Sequence, residues 1–247
     1  AISNVQITPA NDPPVVDLNG AAGGTDFSTS FVEDAGAVLI TDPTATISDV
    51  DSLELSSCRV SLQSAPEGVD ELLAANNMGL GVVVTYNANT NVLDLVGTET
   101  TTNYELILRS VTYENVNQDP TTTARMLDVS CVDDTGLPSN VAVSVISVSG
   151  QNDPLVVDLN GPDDGGLGYS TSFTEGDDPV DATDSDLTIS DVDTDVLVGC
   201  TATLLSVPDG AFELLDAPIM FPGISASYVN PTLTLSGASS VAPYPAG

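Results

Sequence analysis

The sequence predicts an all-β protein made of antiparallel β-sandwich domains. Apolar residues make up 41% of its 247 residues, and they recur in short runs that alternate with polar residues. Such alternation is typical of half-buried strands. Turn-forming pairs, such as Asn19-Gly20 and Asp209-Gly210, separate the runs. Short strands punctuated by turns, in a chain long enough for one large or two smaller domains, favour antiparallel sandwiches.

The individual elements follow from the same pattern. In chain order, alternation predicts strands at residues 58–63, 93–95 and 126–130. Residues 141–148 are a long candidate strand because they are rich in β-branched side chains. Only residues 103–109 favour a helix, of one or two turns.

The sequence contains an internal repeat with a period of about 141 residues. Matching segments occur in the same order in both copies: residues 11–20 with 152–161, 28–31 with 170–173, 46–51 with 188–193, and Cys58 with Cys200. Such ordered matches indicate tandem copies of one domain. We therefore predict one domain at residues 11–151 and a second, incomplete domain at residues 152–247.

The sequence does not begin and end at the repeat boundaries. The second copy lacks counterparts of residues 107–151, whereas residues 1–10 match residues 142–151, the last strand of the first copy. We therefore predict an N-terminal assembly strand at residues 1–10, with apolar side chains at Ile2, Val5 and Ile7. A sandwich without its last strands exposes an apolar groove and unpaired edges that favour strand addition. A head-to-tail contact of this kind gives an open filament.

A second explanation fits the same phase difference. The chain would look the same if it were a stretch of a longer polyprotein, in which covalent continuity joins the domains. Residues 1–10 supply one strand, whereas the second copy lacks the counterparts of residues 107–151, and this mismatch favours the second explanation. Both explanations give an elongated string of β-domains.

Charge excludes several functions. The chain has 36 Asp plus Glu against 3 Lys plus Arg and no His, and its formal net charge is −33. Nucleic-acid binding requires cations that neutralise phosphates, and an anionic membrane surface would repel the chain. No apolar run is long enough for membrane insertion. The common general bases are absent, and a glycosidase usually has aromatic sugar platforms, whereas this chain has no Trp. We therefore predict that it is not an enzyme.

Each copy carries the same set of acidic residues. These are Asp12, Glu33, Asp49 and Asp51 in the first copy, and Asp153, Glu175, Asp191 and Asp193 in the second. We expect Asp134 or its neighbour Asp133 to contribute across the domain junction. Hard carboxylate oxygens suit Ca²⁺, and an Asp-x-Asp motif on extended chain points both side chains to one side. The alternative is that these aspartates hydrogen-bond their own loops.

Several motifs resemble one family. The linker Asn152-Asp153-Pro154, the upstream glutamate and the Asp-x-Asp motif resemble the calcium signature of cadherin-like tandem repeats. Residues 103–115 and 131–139 are similar to segments of the cadherin-like repeats in large secreted adhesins. The resemblance implies cadherin-like or Ig-like β-sandwiches in series, with Ca²⁺ stiffening their junctions, at the cell surface or in extracellular fibres.

The three cysteines fit an extracellular β-domain. Cys58 and Cys131 lie on predicted strands of one domain, where a disulfide would stabilise the fold. The alternative is that all three cysteines are small buried hydrophobic residues. Cys200 repeats Cys58, but the counterpart of Cys131 falls in the missing segment. Cys200 is then either a buried free thiol or a sign that a partner strand has been lost.

These observations predict a structural subunit of an extracellular filament or fibre. We expect subunits to join head to tail through β-strand complementation or covalent continuity, so that the main partner is another copy of the chain. The alternative is a fragment of a calcium-dependent adhesin that binds a glycan or another cell-surface partner. A lateral groove lined with Asn, Asp and exposed aromatic side chains would favour the adhesin.

Overall fold

The computed structural model describes residues 3–8, 10–162, 165–193, 196–218 and 222–240. The described residues are mostly β, with 40% strand, and they include one α-helix. The all-β prediction is therefore confirmed. The chain divides into two compact units, residues 1–151 and 152–247. No helix among the described residues combines the length and apolar character needed to cross a membrane.

The first unit contains most of the regular structure. Its strands are β1 (Val15–Asp17), β2 (Phe27–Val32), β3 (Val38–Leu39), β4 (Thr46–Ser48), β5 (Glu54–Leu62), β6 (Glu71–Ala74), β7 (Val83–Asn87), β8 (Val92–Thr100), β9 (Thr112–Asn115), β10 (Arg125–Asp133) and β11 (Ala142–Ser149), and its helix is α1 (Thr101–Leu108). Six strands form the largest sheet, in the order β2-β11-β10-β5-β8-β7. Within it β2 and β11 are parallel and the other neighbours are antiparallel. Two smaller sheets have the orders β3-β9-β6 and β1-β4.

Alternation along β10 and β5 builds the centre of the core. Leu127 and Val129 on β10 are fully buried and lie opposite Leu62 and Val60 on β5. Burying one such side chain contributes about 1.5–3 kcal/mol. The same apolar cluster takes in residues from all three sheets of the unit and from α1.

The helix α1 begins two residues before the predicted helix. Thr100 provides an N-cap, because its Oγ1 accepts a hydrogen bond of 3.2 Å from the Asn103 N–H. Tyr104, Ile107 and Leu108 lie on one face at helical spacing, and all three are buried. Their burial fastens α1 to the core of the unit.

The second unit repeats part of this structure. Its strands are β12 (Val156–Asp158), β13 (Thr188–Ser190), β14 (Val196–Thr203), β15 (Ser225–Val229) and β16 (Thr232–Ser240). β12 pairs with β13, and the other three form a sheet in the order β14-β16-β15. The strands of the second unit pair in the same registers as those of the first. Val157 lies opposite Ile189, as Val16 lies opposite Ile47. Cys200 lies opposite Leu235, as Cys58 lies opposite Leu95.

The repetition extends to backbone detail. Gly97 in β8 and Gly237 in β16 both have positive φ, of 153° and 131°. A Cβ atom on Gly97 would lie 2.5 Å from the carbonyl oxygen of Gly81, and one on Gly237 would clash in the same way with Gly223. A close approach of the neighbouring backbone therefore requires glycine at this point of both units.

Three segments are strands in the first unit but not in the second. They are the counterparts of β2, β3 and β6, at residues 169–174, 180–181 and 213–216. In the first unit β2 pairs with β11, whereas β3 and β6 pair with β9. The second copy contains no counterparts of β9 and β11. These segments are therefore not strands because the strands that would pair with them are missing.

Candidate functional site

The predicted assembly strand has no pairing partner among the described residues. Residues 3–8 form no strand, and Ile2 lies outside the described residues. Val5 and Ile7 are 78% and 83% exposed. Because they are two residues apart, both side chains point to the same side when the chain is extended.

The second unit has an open sheet edge. In the first unit β5 lies between β8 and β10, so both of its edges are paired. Its counterpart β14 pairs with β16 on one side, and no described strand pairs with its other side. Unpaired N–H and C=O groups on such an edge form a template for another strand.

Apolar side chains elsewhere in the second unit are exposed. Phe173 is 62% exposed, whereas Phe31, at the same position of the first unit, is 1% exposed. Val157 is 41% exposed, whereas its counterpart Val16 is fully buried. These two side chains belong to the core in the first unit and to the surface in the second, whereas Leu233 is buried, as its counterpart Leu93 is in the first unit.

A buried ionic cluster closes the equivalent region of the first unit. Arg125 on β10 is fully buried, and its Nε donates a 2.9 Å hydrogen bond to Oε2 of Glu71. Its Nη2 donates to Glu67, and its Nη1 donates to the carbonyl oxygens of Thr121 and Thr123. The single cation therefore bridges two carboxylates and holds the chain that precedes β10.

The cluster has further hydrogen bonds that fix the carboxylates. The hydroxyl of Tyr113 donates to Oε2 of Glu71 over 2.6 Å. Burial would raise the pKa of Glu67, but hydrogen bonding with Glu71 and Thr121 and the charge of Arg125 lower that pKa to about 2. Burial raises the pKa of Tyr113, which keeps its proton and remains a donor.

The second unit retains the acidic half of this cluster. Glu213 stands at the position of Glu71, and the hydroxyl of Tyr228 donates to the Glu213 carbonyl oxygen (3.1 Å), as Tyr86 does to Glu71 (2.8 Å). The N–H of Asp209 donates to Oε1 of Glu213 over 2.9 Å, as the N–H of Glu67 does to Glu71 over 3.2 Å. No Lys or Arg follows Arg125 in the sequence, so the second unit has no cation of its own for these acids.

The cysteines show the same difference between the units. Cys58 on β5 and Cys131 on β10 lie directly opposite each other and are joined by a disulfide. Cys200 occupies the place of Cys58 on β14, and its thiol is free and half-buried. The strand that carries Cys131 in the first unit has no counterpart in the second.

The predicted calcium ligands of the first unit are partly brought together. The N–H of Asp12 donates to Oδ2 of Asp51 over 3.2 Å, and the N–H groups of Asp51 and Ser52 donate to Oδ1 of Asp49 at 3.0 and 2.9 Å. The hydroxyl of Ser52 donates to Oδ1 of Asp134 over 3.0 Å. Asp12, Asp49, Asp51 and Asp134 therefore share one loop cluster, in which Asp49 also hydrogen-bonds its own loop.

The carboxylates of this loop cluster have negative charge that no neighbouring cation compensates among the contacts described above. Oδ2 of Asp49 is buried and has no hydrogen-bond partner. Burial raises the pKa of Asp51, and the nearby carboxylates of Asp49 and Asp12 raise it further. Like charges held this close are stabilised by a cation between them.

Asp133 has a structural role beside the same cluster. Its Oδ1 accepts hydrogen bonds from the N–H groups of Thr135 and Leu137, at 2.9 and 2.7 Å, and its Oδ2 accepts one of 2.6 Å from the Asn11 amide. Burial would raise the pKa of Asp133, but these hydrogen bonds lower it to about 2. Its oxygens are already used in holding a turn, so Asp134 is the better candidate ligand of the two.

The second unit repeats the linker contacts. The N–H of Asp153 donates to Oδ2 of Asp193, and the N–H of Asp193 donates to Oδ1 of Asp191 over 3.0 Å. Glu175 is exposed.

Glu33 lies apart from the other predicted ligands of the first unit. Its Oε2 accepts a 2.7 Å hydrogen bond from the Gln151 N–H, and its own N–H donates to the carbonyl of Ser149 at the end of β11. Val16 contacts Asn140, just before the start of β11. The length of β11, about 3.3 Å per residue, therefore separates Glu33 from the Asp12 loop. Among the described residues no three His, Cys, Asp or Glu side chains form a group arranged to hold a metal.

Sequence reasoning missed the ionic cluster, although a signal for it exists. Arg125 is two residues before Leu127, in phase with the apolar positions of β10, so a charged residue occurs on the buried face. A buried arginine needs buried anions as partners. The sequence did not locate them, because Glu67 and Glu71 lie more than fifty residues away, before and at the start of β6.

The comparisons with known proteins add no identification. No protein-family model matches the sequence, and no curated protein matches it.

Proposed function

We propose that this chain is a structural protein of an extracellular filament or fibre, built from cadherin-like β-sandwich repeats. In this proposal β-strands from outside the second repeat complete that repeat. The observation that carries the proposal is the exposure of Phe173, whose counterpart Phe31 is buried in the first unit, and the open edge of β14 supports it. The disulfide between Cys58 and Cys131 supports an extracellular location.

Residues 3–8 supply one candidate strand. Val5 and Ile7 match Ile146 and Val148 of β11, which are both buried in the first unit. There β11 pairs with β2. The assembly strand of another copy would therefore lie parallel to residues 169–174 and cover Phe173. Repeating this contact from copy to copy gives an open filament. Covalent continuity in a longer chain would complete the second unit through the same position.

Calcium is part of the proposal. We assign the ligand role to Asp12, Asp49, Asp51 and Asp134 in the first unit, and to Asp153, Asp191 and Asp193 in the second. The buried Oδ2 of Asp49 and the raised pKa of Asp51 support a cation at this loop cluster. A bound Ca²⁺ would neutralise these carboxylates and stiffen the chain on either side.

The described surface gives less support to the adhesin alternative. The first unit has an open groove of about 410 Å³ lined by Asn76, Asn77 and Ser110 among small apolar residues. No aromatic side chain lines this groove, although sugar-binding sites usually use one.

Solution mass and hydrogen exchange test the filament proposal. We expect sedimentation equilibrium to show head-to-tail oligomers that grow with concentration, because residues 3–8 of one copy would pair with residues 169–174 of the next. The double variant Val5→Asp with Ile7→Asp should abolish them. Val69→Asp combined with Val83→Asp adds the same charge at residues that are 66% and 63% exposed in the first unit. It is the matched control and should assemble normally.

Two outcomes would contradict the proposal at different levels. A folded chain that remains monomeric at all concentrations would rule out strand exchange between copies. A monomer in which the amides of residues 169–174 exchange slowly would rule out completion by another copy and completion by covalent continuity. The second unit would then need no added strand.

A further inference from the structure

We propose that the open edge of β14 binds a β-strand of defined chemistry, which carries an arginine that pairs with Glu213 and, six residues later, a cysteine that bonds to Cys200. This inference rests on the proposed function, and it specifies the strand that lies next to β14. That position differs from the one assigned to residues 3–8, because in the first unit β10 separates β11 from β5.

The register of the first unit defines the spacing. Cys131 lies opposite Cys58, and Arg125 is six residues earlier on the same face of β10. β14 pairs with β16 in the same register as β5 pairs with β8. Cys200 lies opposite Leu235, and Cys58 lies opposite Leu95. A strand that pairs antiparallel with β14, with its cysteine opposite Cys200, would therefore bring its arginine to the position that Arg125 takes in the first unit.

Charge complementarity identifies the arginine. Glu213 has the backbone contacts of Glu71, and Asp209 stands where Glu67 does. In the first unit one guanidinium bridges these two positions. Arginine fits better than lysine, because its planar group donates to two carboxylates at once. Residues 3–8 contain no cation, so they cannot fill this place.

Between its arginine and its cysteine, the added strand should have an apolar residue at every second position. In β10 these positions are Leu127 and Val129, which are fully buried against β5. The counterpart of Val60 on β14 is Ala202, which is exposed. An apolar side chain of the added strand would cover it.

The covalent step balances as thiol oxidation. The thiols of Cys200 and of the cysteine on the incoming strand form one S–S bond and lose two protons and two electrons. A small-molecule disulfide such as oxidised glutathione accepts both electrons and both protons, and it is reduced to two thiols. Opposite placement on paired strands is the arrangement of Cys58 and Cys131.

A synthetic peptide of residues 121–150 of this chain is the probe. It contains the sequences of β10 and β11, with Arg125 and Cys131 at the required spacing. The first unit already holds these strands and its disulfide, so the open site for the peptide is the second unit. Mixed with the full chain and oxidised glutathione, it should give a one-to-one covalent adduct, mapped by mass spectrometry to Cys200.

Variants separate the two recognition elements. Cys200→Ser should abolish the adduct but leave reversible binding. Glu213→Gln should weaken that reversible binding about tenfold, and Glu175→Gln, which removes an exposed charge in the same unit, should not. A peptide carrying R125Q should bind the unchanged chain about tenfold more weakly, so this arm is independent of the folding of any chain variant.

The outcomes distinguish this inference from the proposed function. Equal binding of the R125Q peptide, or an adduct through Cys58 rather than Cys200, would overturn the inference. If the peptide does not bind while the chain still assembles through residues 3–8, the inference is wrong and the filament proposal stands. If the peptide binds as expected but the chain never assembles, strand exchange between copies fails and the chemistry of the β14 edge stands.

Discussion

Arg125 is a charged residue on the buried, otherwise apolar face of β10. Because it is fully buried, we expect the stability of the first unit to depend on it. Replacing it with Met would leave Glu67 and Glu71 buried without a counter-charge. We expect Arg125→Met to lower the free energy of unfolding of the first unit by about 3–5 kcal/mol. Urea denaturation of the full chain, read from hydrogen exchange of the β5 amides, measures this loss.

Arg59 supplies the matched control for this variant. It forms a 2.8 Å ion pair with Asp94, but its side chain is 62% exposed. We expect Arg59→Met to cost less than about 1 kcal/mol, because water already screens that pair. Equal losses for the two variants would show that the buried cluster contributes no more than a surface ion pair.

Asp133 makes the first unit sensitive to acid. Its pKa is lowered to about 2 in the folded chain, below the value of about 4 for an unfolded aspartate. The ionised carboxylate therefore stabilises the fold fully above about pH 4, and this contribution is lost as the pH falls towards 2. The difference in stability between the wild type and Asp133→Asn should shrink over that interval.

Urea midpoints at several pH values between neutrality and pH 2 measure this difference for the two proteins. The comparison is its own control, because every other acidic group is common to both. A difference that stays constant over the whole range would mean that Asp133 acts through its shape and not through its charge.

At the scale of the elements, local pattern predicted the strands that alternate most clearly. Residues 126–130 fall within β10, and residues 93–95 fall within β8. Alternation does not extend over the ends of these strands, as in the Thr-rich end of β8, so their bounds were not predictable. The helix was predicted at 103–109 and lies at Thr101–Leu108, because the cap at Thr100 starts it earlier.

The local sequence pattern could not predict strands whose formation depends on a distant pairing partner. The sequence Ser-Thr-Ser-Phe occurs at residues 28–31 and at 170–173. It is part of β2 in the first unit and is not a strand in the second. The difference comes from β11, which pairs with β2 and has no counterpart for residues 170–173. Strand formation at this sequence is therefore decided by a segment more than a hundred residues away.

The same non-local effect limits prediction of the acidic residues. The Asp-x-Asp loop was predictable, because Asp49 and Asp51 interact within a few residues of each other. The place of Glu33 was not, since the parallel pairing of β2 with β11 carries it towards Gln151. A ligand set that spans several strands requires the topology as well as the motif.

At the scale of the whole molecule, the net charge of −33 opposes compaction. Any cation would relieve part of this repulsion by screening, and that effect depends on ionic strength and not on the particular residue. A Ca²⁺ site would act differently, because it stabilises the fold according to its own dissociation constant and requires particular carboxylates. Measurements at equal ionic strength separate the two effects.

We therefore expect Ca²⁺ to raise the unfolding temperature of the chelator-treated chain more than Na⁺ does at matched ionic strength. At a hundred times the dissociation constant the gain would be about 2.7 kcal/mol. The double variant Asp49→Asn with Asp51→Asn should lose the calcium-specific part and keep the salt-dependent part. Asp119→Asn combined with Asp128→Asn removes the same charge away from the loop and is the control. Equal calcium responses in the two double variants would show that Ca²⁺ acts through general screening of the acidic surface, and the ligand assignment would then be wrong.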